Sequence, residues 1–458
     1  MNVYSRRKTV SVRVGNTAIG GNNPIRLQSM TTASTMDTAG CIEQAIRIID
    51  AGGELVRMTT QGTREAENMR LIREGLSARG YNTPLVADVH FNPAVADVAA
   101  RYVEKVRINP GNYVDPARTF KHLEYTDDEY AQEIQRIRDR FIPFLNICRK
   151  HGTAIRIGVN HGSLSDRIMS RYGNTPDGMV ESCMEFLRIC VEQKFMNVVI
   201  SIKASNTVVM IETVRLLVKE MDRENMAFPI HLGVTEAGEG EDGRIKSAIG
   251  IGALLAEGIG DTIRVSLSEA PEREIPVARK LVDYAERSAQ VRASAKIENG
   301  VLILSYNDTL LEDFQLHAAM DAGALLIDGK ANDLKLSNLN IQAEQIRSTE
   351  EAILQGARIR FTKPEYISCP GCGRTLYNLE ETIARIKAAT GHLKGIKIAI
   401  MGCIVNGPGE MADADFGYVG AGRGKISLYK GKECIEKNIP EENAVERLLQ
   451  LIEETTNR

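Results

Sequence analysis

The chain carries almost no net charge and has no long run of apolar residues. Its 57 Lys and Arg residues nearly balance its 60 Asp and Glu residues, which leaves a formal net charge of −3. A chain this close to neutral lacks the overall electrostatic footprint of a nucleic-acid binder. No stretch is long enough to span a bilayer, and the first twenty residues contain no apolar core of signal-peptide length. We therefore expect a cytoplasmic protein with neither nucleic acid nor a membrane as a partner.

The length and composition predict a globular protein of more than one domain. The chain has 458 residues, more than one compact core usually holds. Hydrophobic residues make up 43% and charged residues 26%, which is the balance of a globular protein rather than a disordered or fibrous one.

The first part of the chain repeats one pattern eight times: a short apolar or β-branched run, then polar and Gly residues, then a segment with helical spacing. The eight runs are PIRLQSM (24–30), LVRMTT (55–60), LVADVHF (85–91), KVRINPGN (105–112), AIRIGVNHG (154–162), NVVISIKAS (197–205), PIHLGVTEAG (229–238) and TIRVSLSE (262–269). Eight βα units over about 250 residues predict a TIM (β/α)8 barrel. A doubly wound open sheet is the main alternative, but no GxGxxG follows the first run.

The other segments predict an enlarged barrel loop and two smaller units after the barrel. Residues 113–153 are interpreted as an enlarged loop with a helix near 127–140, and 296–360 as roughly one βαβ unit with strands at 301–306 and 324–329. After residue 365 comes a small α+β region with strands at 397–403 and 425–430 and helices at 376–389 and 441–454. The predicted domains are therefore a barrel (1–290), a short insert (291–360) and a cysteine-containing domain (361–458).

The last domain carries the cysteines with metal-ligand spacing. Cys369-Pro-Gly-Cys372 is a C-x-x-C turn, and Cys403 ends a predicted strand before the loop IVNGPGE, in which Glu410 is a candidate fourth, oxygen ligand. Three thiolates with an exchangeable fourth position suit a reactive [4Fe-4S] cluster. A zinc site completed by Cys434 is an equal alternative, because C-x-x-C does not distinguish iron from zinc.

The other four cysteines are predicted to be core residues. Each falls in a predicted helix or an apolar run without a C-x-x-C partner, and free cysteine behaves there as a small buried hydrophobe. They are Cys41, Cys148, Cys183 and Cys190.

Basic residues recur at the same place in five of the predicted barrel strands. They are Arg57, Arg107, Arg156, Lys203 and Arg264, each flanked by apolar residues. Because strand side chains alternate between faces, all five are predicted to point into the barrel. Structural ion pairs with Asp88, Glu236 or Glu269 are the alternative. Five inward cations together favour an anion, and a diphosphate fits them best.

Polar residues near the ends of the same strands are further candidates for the barrel mouth, where TIM-barrel active sites form. They are Asp88, His90, Asn109, Asn112, Asn160, His161, Ser205, Glu236 and Ser266.

Motifs from both ends of the chain resemble one family. The segments NPGN, RIGVN, IKAS, TEAG, SAIGIGALLAEGIGDTIRVSL, CPGCGRT and GCIVNGPGE occur in the order found in the 4-hydroxy-3-methylbut-2-enyl diphosphate synthases. The resemblance covers 1–290 and 356–458. It implies an oxidoreductase that opens the ring of 2-C-methyl-D-erythritol 2,4-cyclodiphosphate, in isoprenoid biosynthesis by the methylerythritol phosphate pathway. Two electrons from ferredoxin or flavodoxin give the linear 4-hydroxy-3-methylbut-2-enyl diphosphate and water.

The resemblance also implies roles for individual residues. Four residues correspond to the ligands of a [4Fe-4S] cluster: Cys369, Cys372, Cys403 and Glu410. The resemblance therefore favours iron over zinc at this site. Glu410 would leave the cluster when substrate binds, and Glu236 is a candidate acid. The five barrel cations, with Asn160 and Ser266 beside them, correspond to the diphosphate site; Asp88, His90 and Asn109 are further candidates at the barrel mouth.

The insert departs from the pattern of the family. Short members have a brief linker and long members a whole extra domain, whereas 105 residues separate Arg264 from Cys369 here. The cluster domain could close its own barrel or that of a second subunit, and we hypothesise a homodimer. Two other classes remain as alternatives: a binding protein without turnover, and a zinc-stabilised barrel transferase.

Overall fold

The structure is a computed structural model that describes residues 4–116, 119, 121–404 and 414–456. Its largest sheet has eight parallel strands in the order β8-β7-β6-β5-β4-β3-β10-β9. Their bounds are β3 (Arg26–Met30), β4 (Leu55–Thr60), β5 (Leu85–Val89), β6 (Lys105–Ile108), β7 (Ala154–Asn160), β8 (Val198–Lys203), β9 (His231–Leu232) and β10 (Thr262–Ile263). All eight lie inside the eight predicted runs.

The sheet closes through the segment before β9. A parallel bridge joins Ile200 to Ile230, and the Ile200 N–H donates to the carbonyl of Pro229 at 2.9 Å. The predicted TIM barrel is therefore confirmed, and apart from Arg26 at the start of β3 every residue of its strands is buried.

A hairpin that the sequence analysis missed covers the amino-terminal end of the barrel. Its strands are β1 (Val12–Val14) and β2 (Thr17–Ile19), paired antiparallel. Val12, Val14 and Ile19 are fully buried and pack with the first residues of several barrel strands, among them Leu55 and Ala154. The hairpin leaves the carboxyl-terminal end of the barrel as the open end.

Helices surround the barrel and follow the strands in order. Their bounds are α1 (Thr38–Asp50), α2 (Thr63–Ser77), α3 (Pro93–Ala99), α4 (Pro110–Tyr113), α5 (Asp127–His151), α6 (Asp166–Tyr172), α7 (Pro176–Glu192), α8 (Thr207–Arg223), α9 (Gly240–Ala256) and α10 (Glu274–Ala293). The helix predicted near 127–140 is longer than expected. A capping box at Thr126 starts it, and Gly152, in a left-handed conformation, ends it.

The insert is a βαβ unit attached to the barrel helices. It contains β11 (Lys296–Glu298), β12 (Val301–Tyr306), α11 (Leu311–Ile327), β13 (Asp333–Asn338) and α12 (Ala343–Gly356). The strand predicted at 324–329 is wrong, because that run is the buried end of α11; the second strand is β13, which pairs in parallel with β12. Apolar residues of the insert and the barrel form one core.

The described part of the last region has a five-stranded sheet and two helices. Its strands lie in the order β14 (Glu365–Ser368), β15 (Lys397–Met401), β16 (Phe416–Gly422), β17 (Lys425–Lys430) and β18 (Glu433–Pro440). The helices are α13 (Leu379–Thr390) and α14 (Glu441–Thr456), and they pack on a separate core. In the described chain, we find no helix with the length and apolar character that crossing a bilayer requires.

Candidate active site

A cavity lies at the carboxyl-terminal end of the barrel, between the strand ends and the cysteine-containing domain. It holds about 780 Å³ of empty space, part of which is open to solvent. Both the barrel and the last domain contribute its walls. The position is the one where TIM barrels form active sites.

The five predicted cations all line this cavity. They are Arg57, Arg107, Arg156, Lys203 and Arg264. Each is at least nine-tenths buried, as expected for side chains that point from strand ends into a closed barrel. The alternation of strand side chains thus predicted correctly which residues meet at this end.

Two of the five cations have carboxylate partners. Arg107 donates to Asp88 at 2.9 Å, and Arg264 makes two hydrogen bonds to Glu274, at 2.8 and 2.9 Å. For Arg264 the partner is the first residue of α10, which the sequence analysis did not consider. Glu269, which it did consider, is bound instead to Arg244 at 2.6 Å on the outside of the barrel.

The other three cations have no carboxylate within ion-pair distance in the described chain. Two nitrogens of Arg57 lie 3.1 and 2.9 Å from the sulfur of Met30, and Arg156 is 3.4 Å from the Ser201 hydroxyl. Burial, followed by the neighbouring Arg57 and Arg156, holds the pKa of Lys203 well below its usual value. Such a concentration of buried positive charge is costly without an anion, so the cavity is suited to an anionic ligand.

Asp88 and His90 line the cavity beside the five cations. Burial alone would raise the pKa of Asp88, but Arg57 and Arg107 hold it well below its usual range. Burial and the adjacent Arg107 lower the pKa of His90 to about 3, so its imidazole is neutral. His90 Nδ1 also lies 3.3 Å from the amide nitrogen of Asn112. His90 therefore adds polarity to the cavity without adding charge.

Glu236 is the cavity residue best suited to carry a proton at neutral pH. Burial raises the pKa of its carboxyl to about 7, against the opposing effects of Thr235, Lys203 and Arg264. Its Oε2 atom has no hydrogen-bond partner in the described chain. The backbone of Glu236 has a φ of 49°. Residues other than glycine rarely adopt this left-handed conformation, and it is concentrated at functional sites.

Two of the smaller predicted residues reach the cavity, whereas four others, Asn109, Asn112, His161 and Ser205, do not line it. Asn160 and Ser266 line it. Asn109 lies below the surface of the cavity wall, where its side chain accepts from the Gly111 N–H and donates to the Ser163 hydroxyl at 2.7 Å. Asn109 is buried because its side chain caps the first turn of α4. Its contact with substrate stays a prediction.

The three predicted cysteine ligands face the same cavity from the other side. Cys369 and Cys372 lie on the loop after β14, and Cys403 follows β15. The Gly402 N–H donates to the Cys369 sulfur at 3.2 Å, and the Cys372 N–H donates to the Thr375 hydroxyl at 3.0 Å. Burial raises the pKa of the Cys369 thiol to about 12 in the absence of a metal. Glu410 lies outside the described residues.

The backbone around the three cysteines offers a donor that would suit an iron–sulfur cluster. A cluster spreads its thiolate ligands around a larger group and is tuned by backbone N–H donors such as that of Gly402. Cys434, the fourth ligand of the zinc alternative, lies on β18, which β16 and β17 separate from β15. The four cysteines predicted as core are all fully buried.

The cysteine-containing domain is seated on the barrel of its own chain. The Ser268 hydroxyl donates to the Cys369 carbonyl at 2.8 Å, a β-bridge joins Ala237 to Ser368, and Lys246 donates to the Tyr366 carbonyl at 3.2 Å. Closure by a second subunit was the reason for the homodimer hypothesis. The structure closes the barrel within one chain, and the homodimer itself stays a prediction.

Two buried cations in or below the cavity were not predicted from the sequence. Arg374 lies two residues after Cys372 in CPGCGRT and lines the cavity; its position in that motif was the available signal. Lys105, two residues before Arg107 on β6, is fully buried below the cations, with its amine 3.4 Å from Gln28 Oε1. Strand alternation would have placed it inside the barrel, but it does not line the cavity.

The fold and the cavity define a TIM-barrel enzyme in which an anion-binding barrel mouth faces a set of thiols. The GcpE TIM-barrel domain matches residues 9–279, and the GcpE protein C-terminal domain matches residues 365–454. The chain belongs to the GcpE family, that of the 4-hydroxy-3-methylbut-2-en-1-yl diphosphate synthases, as its motifs predicted. Its assignment as an oxidoreductase is likewise confirmed.

Curated relatives match along nearly the whole chain. The 4-hydroxy-3-methylbut-2-en-1-yl diphosphate synthase (flavodoxin) of Phocaeicola vulgatus is 54% identical over 600 positions, covering 98% of each chain. The enzyme of the same name from Bacteroides thetaiotaomicron is 53% identical over 599 positions, again covering 98% of each. Both alignments are longer than the 458 residues of this chain, so these relatives contain residues that have no counterpart here.

Proposed function

We propose that this enzyme opens the ring of 2-C-methyl-D-erythritol 2,4-cyclodiphosphate by reduction, which gives 4-hydroxy-3-methylbut-2-enyl diphosphate and water. The observation that carries the proposal is the cavity itself, in which buried cations, three of them without a carboxylate partner in the described chain, face three cysteines. A reductase for a diphosphate needs these two surfaces opposite each other. The names of the relatives indicate the same product.

The barrel cations bind the diphosphate in this proposal. Arg57, Arg156 and Lys203 have no carboxylate partner in the described chain and are free to meet phosphate oxygens. Arg107 and Arg264 are held in place by Asp88 and Glu274, so they present fixed donors rather than mobile ones. Arginine matches phosphate oxygens in two-point contacts, which orients the ring as well as binding it.

Glu236 supplies the proton that the departing oxygen needs. Loss of an oxygen as water consumes a proton, and a carboxyl with a pKa of about 7 can donate one at neutral pH. Glu236 lines the cavity, and its buried Oε2 has no hydrogen-bond partner in the described chain. The buried surroundings also limit competing water, because the last domain covers the barrel mouth.

Cys369, Cys372, Cys403 and Glu410 hold a [4Fe-4S] cluster in this proposal. When bound, the cluster passes two electrons to the substrate. The Gly402 N–H that donates to Cys369 favours the negatively charged thiolate. Because the relatives' names specify flavodoxin, we propose flavodoxin as the physiological electron donor, with ferredoxin as the substitute.

The first experiment is anaerobic purification with iron, sulfide and zinc analysis, followed by addition of the cyclodiphosphate and dithionite. We expect about four irons per chain, a brown protein and formation of the linear diphosphate. Zinc in place of iron would favour the transferase alternative. Iron without turnover would favour a binding protein.

Two cysteine variants separate the cluster from the zinc alternative. Cys372→Ser should lose most of its iron and its activity, because a thiolate of the cavity is removed. Cys434→Ser is the matched control on β18 and should keep both. Equal loss of metal in the two variants would contradict the proposed ligand set.

A further inference from the structure

Arg374 extends from the cysteine-bearing loop into the cation cluster of the barrel. It lies two residues after Cys372, its side chain is only 8% exposed, and it lines the cavity together with Arg57 and Arg107. The cavity therefore contains a sixth cation, and this one comes from the opposite wall.

Burial lowers the pKa of Arg374, but the nearby Cys372, Asp88 and Cys403 raise it above its usual value, while most of its guanidinium nitrogens make no hydrogen bond. Its Nε and Nη1 atoms have no hydrogen-bond partner in the described chain. Its Nη2 atom is 3.7 Å from Asp88 Oδ2, beyond hydrogen-bond distance, while the other oxygen of Asp88 is bound to Arg107. Buried donors are nearly always satisfied, and a buried charge requires compensation. Buried, unpartnered nitrogens on a side chain that lines the cavity therefore point to a ligand.

Arg374 reaches the cavity because its loop is seated on the barrel. A Cβ on Gly373 would lie 2.9 Å from the carbonyl oxygen of Ala33, so only glycine permits this approach between the loop and the segment after β3. The Ser268 hydroxyl holds the same loop through the Cys369 carbonyl at 2.8 Å. The position of Arg374 thus depends on the contact between the two domains.

We propose that Arg374 binds the diphosphate of the substrate from the side opposite the barrel cations, and that this contact couples substrate binding to seating of the cysteine loop. The inference rests on the proposed function and adds a substrate-binding residue to it. A diphosphate held between Arg374 and the barrel links the two domains through one anion. Since the same loop carries Cys369 and Cys372, binding the anion also positions the thiols over the substrate.

Inorganic pyrophosphate is the probe for this inference. Its affinity is measured by titration calorimetry for the anaerobically purified full chain, without reductant. We expect Arg374→Met to weaken binding roughly 10- to 100-fold, as for loss of charged hydrogen bonds. The affinity of Arg374→Lys should lie between those of the unmodified enzyme and Arg374→Met, because lysine keeps the charge but loses the two-point contact. Arg385→Met, which removes an exposed arginine from α13 of the same domain, should bind as the unmodified enzyme does.

Hydrogen exchange measures the coupling separately. Pyrophosphate should slow backbone exchange at 31–35 and 368–376 in the unmodified enzyme and in Arg385→Met, but not in Arg374→Met. In turnover assays Arg374→Met should raise KM by a similar factor to the loss of affinity.

The outcomes distinguish this inference from the proposed function. Unchanged pyrophosphate affinity in a folded Arg374→Met variant, with only kcat lowered, would overturn the inference and leave the proposed substrate class intact. No measurable binding to the unmodified enzyme would overturn both. Equal exchange protection in Arg374→Met and Arg385→Met would show that the loop is seated independently of this contact, and would overturn the coupling.

Discussion

At the scale of single residues, the cavity is defined by an imbalance of charge. Six basic side chains line it, whereas the carboxylates bound to them in the described chain are Asp88 and Glu274. Burial makes this imbalance costly until an anion with more than one charge binds. The same burial keeps Glu236 protonated near neutral pH, so one environment produces both the anion site and the proton donor.

Replacement of Glu236 tests the proton donor. If the protonated carboxyl is the active form, kcat should fall as pH rises through about 7, the pKa of Glu236. Glu236→Gln should lower kcat roughly 10²- to 10⁴-fold and remove this pH dependence. Glu212→Gln, at an exposed position of α8, is the control. A variant that keeps the descending limb of the pH–rate profile would assign that limb to another group.

The same variant should not be destabilised at alkaline pH. The Glu236 carboxyl keeps its proton to about pH 7 in the folded chain but loses it near 4.5 when unfolded. The folded state thus loses stability as pH rises from 4.5 to 7, and above 7 that cost is fully present. Glutamine removes the cost, so Glu236→Gln should melt no lower than the unmodified enzyme at pH 8, measured by calorimetry without substrate.

Replacement of Gly233 tests how the cations are packed. A Cβ at this position would lie 2.6 Å from the Lys203 amine and 2.8 Å from the carbonyl of Arg264. Gly233→Ala should therefore displace Lys203 and weaken pyrophosphate binding by about 10-fold or more. Gly62→Ala, where the Cβ meets open space, is the matched control. Unchanged affinity in Gly233→Ala would contradict the expected displacement of Lys203.

At the scale of elements, the two ends of the barrel have different tasks. The hairpin of β1 and β2 closes the amino-terminal end with apolar side chains, whereas the carboxyl-terminal end collects charged ones. Polar and charged groups at the carboxyl-terminal end carry function in this fold, and the opposite end carries stability. Changes to the hairpin should therefore affect folding and leave binding intact.

Truncation of Ile19 tests this division. Ile19 is fully buried in the hairpin, so Ile19→Ala should lower the free energy of unfolding by about 2–4 kcal/mol. KM for the cyclodiphosphate should not change. Ile297→Ala, at a side chain that is 38% exposed on β11, is the control and should cost less than about 1 kcal/mol. A raised KM in folded Ile19→Ala would show that the hairpin influences the distant cavity.

At the scale of the whole molecule, the chain completes its site by itself. The thiols, the barrel cations and Arg374 meet within one chain. The relatives' alignments run well beyond this chain's length, yet the short insert packs on α9 and α10 and leaves the last domain over its own barrel. The position of that domain does not require a second subunit.

Mixing two inactive variants tests this arrangement. Arg156→Met removes a barrel cation and Cys372→Ser removes a thiol, so each should be inactive alone. Neither chain has a complete site, and refolded or co-expressed mixtures should remain inactive if each chain closes its own barrel. Recovery of up to about a quarter of the unmodified activity would show closure across a dimer. Sedimentation of the active enzyme determines whether the predicted homodimer forms at all.

Local patterns in the sequence were enough to predict the barrel strands, the inward-pointing cations and the grouping of the cysteines. Strand alternation depends only on neighbouring residues, and C-x-x-C spacing is set by one turn, so both are visible in a short stretch of chain. The tertiary structure decided the rest: that Glu274 pairs with Arg264, that Asn109 is used inside the wall, and that Arg374 enters the cavity. Each of these depends on segments that are distant in sequence and meet only when the domains pack, which no periodicity in the chain records.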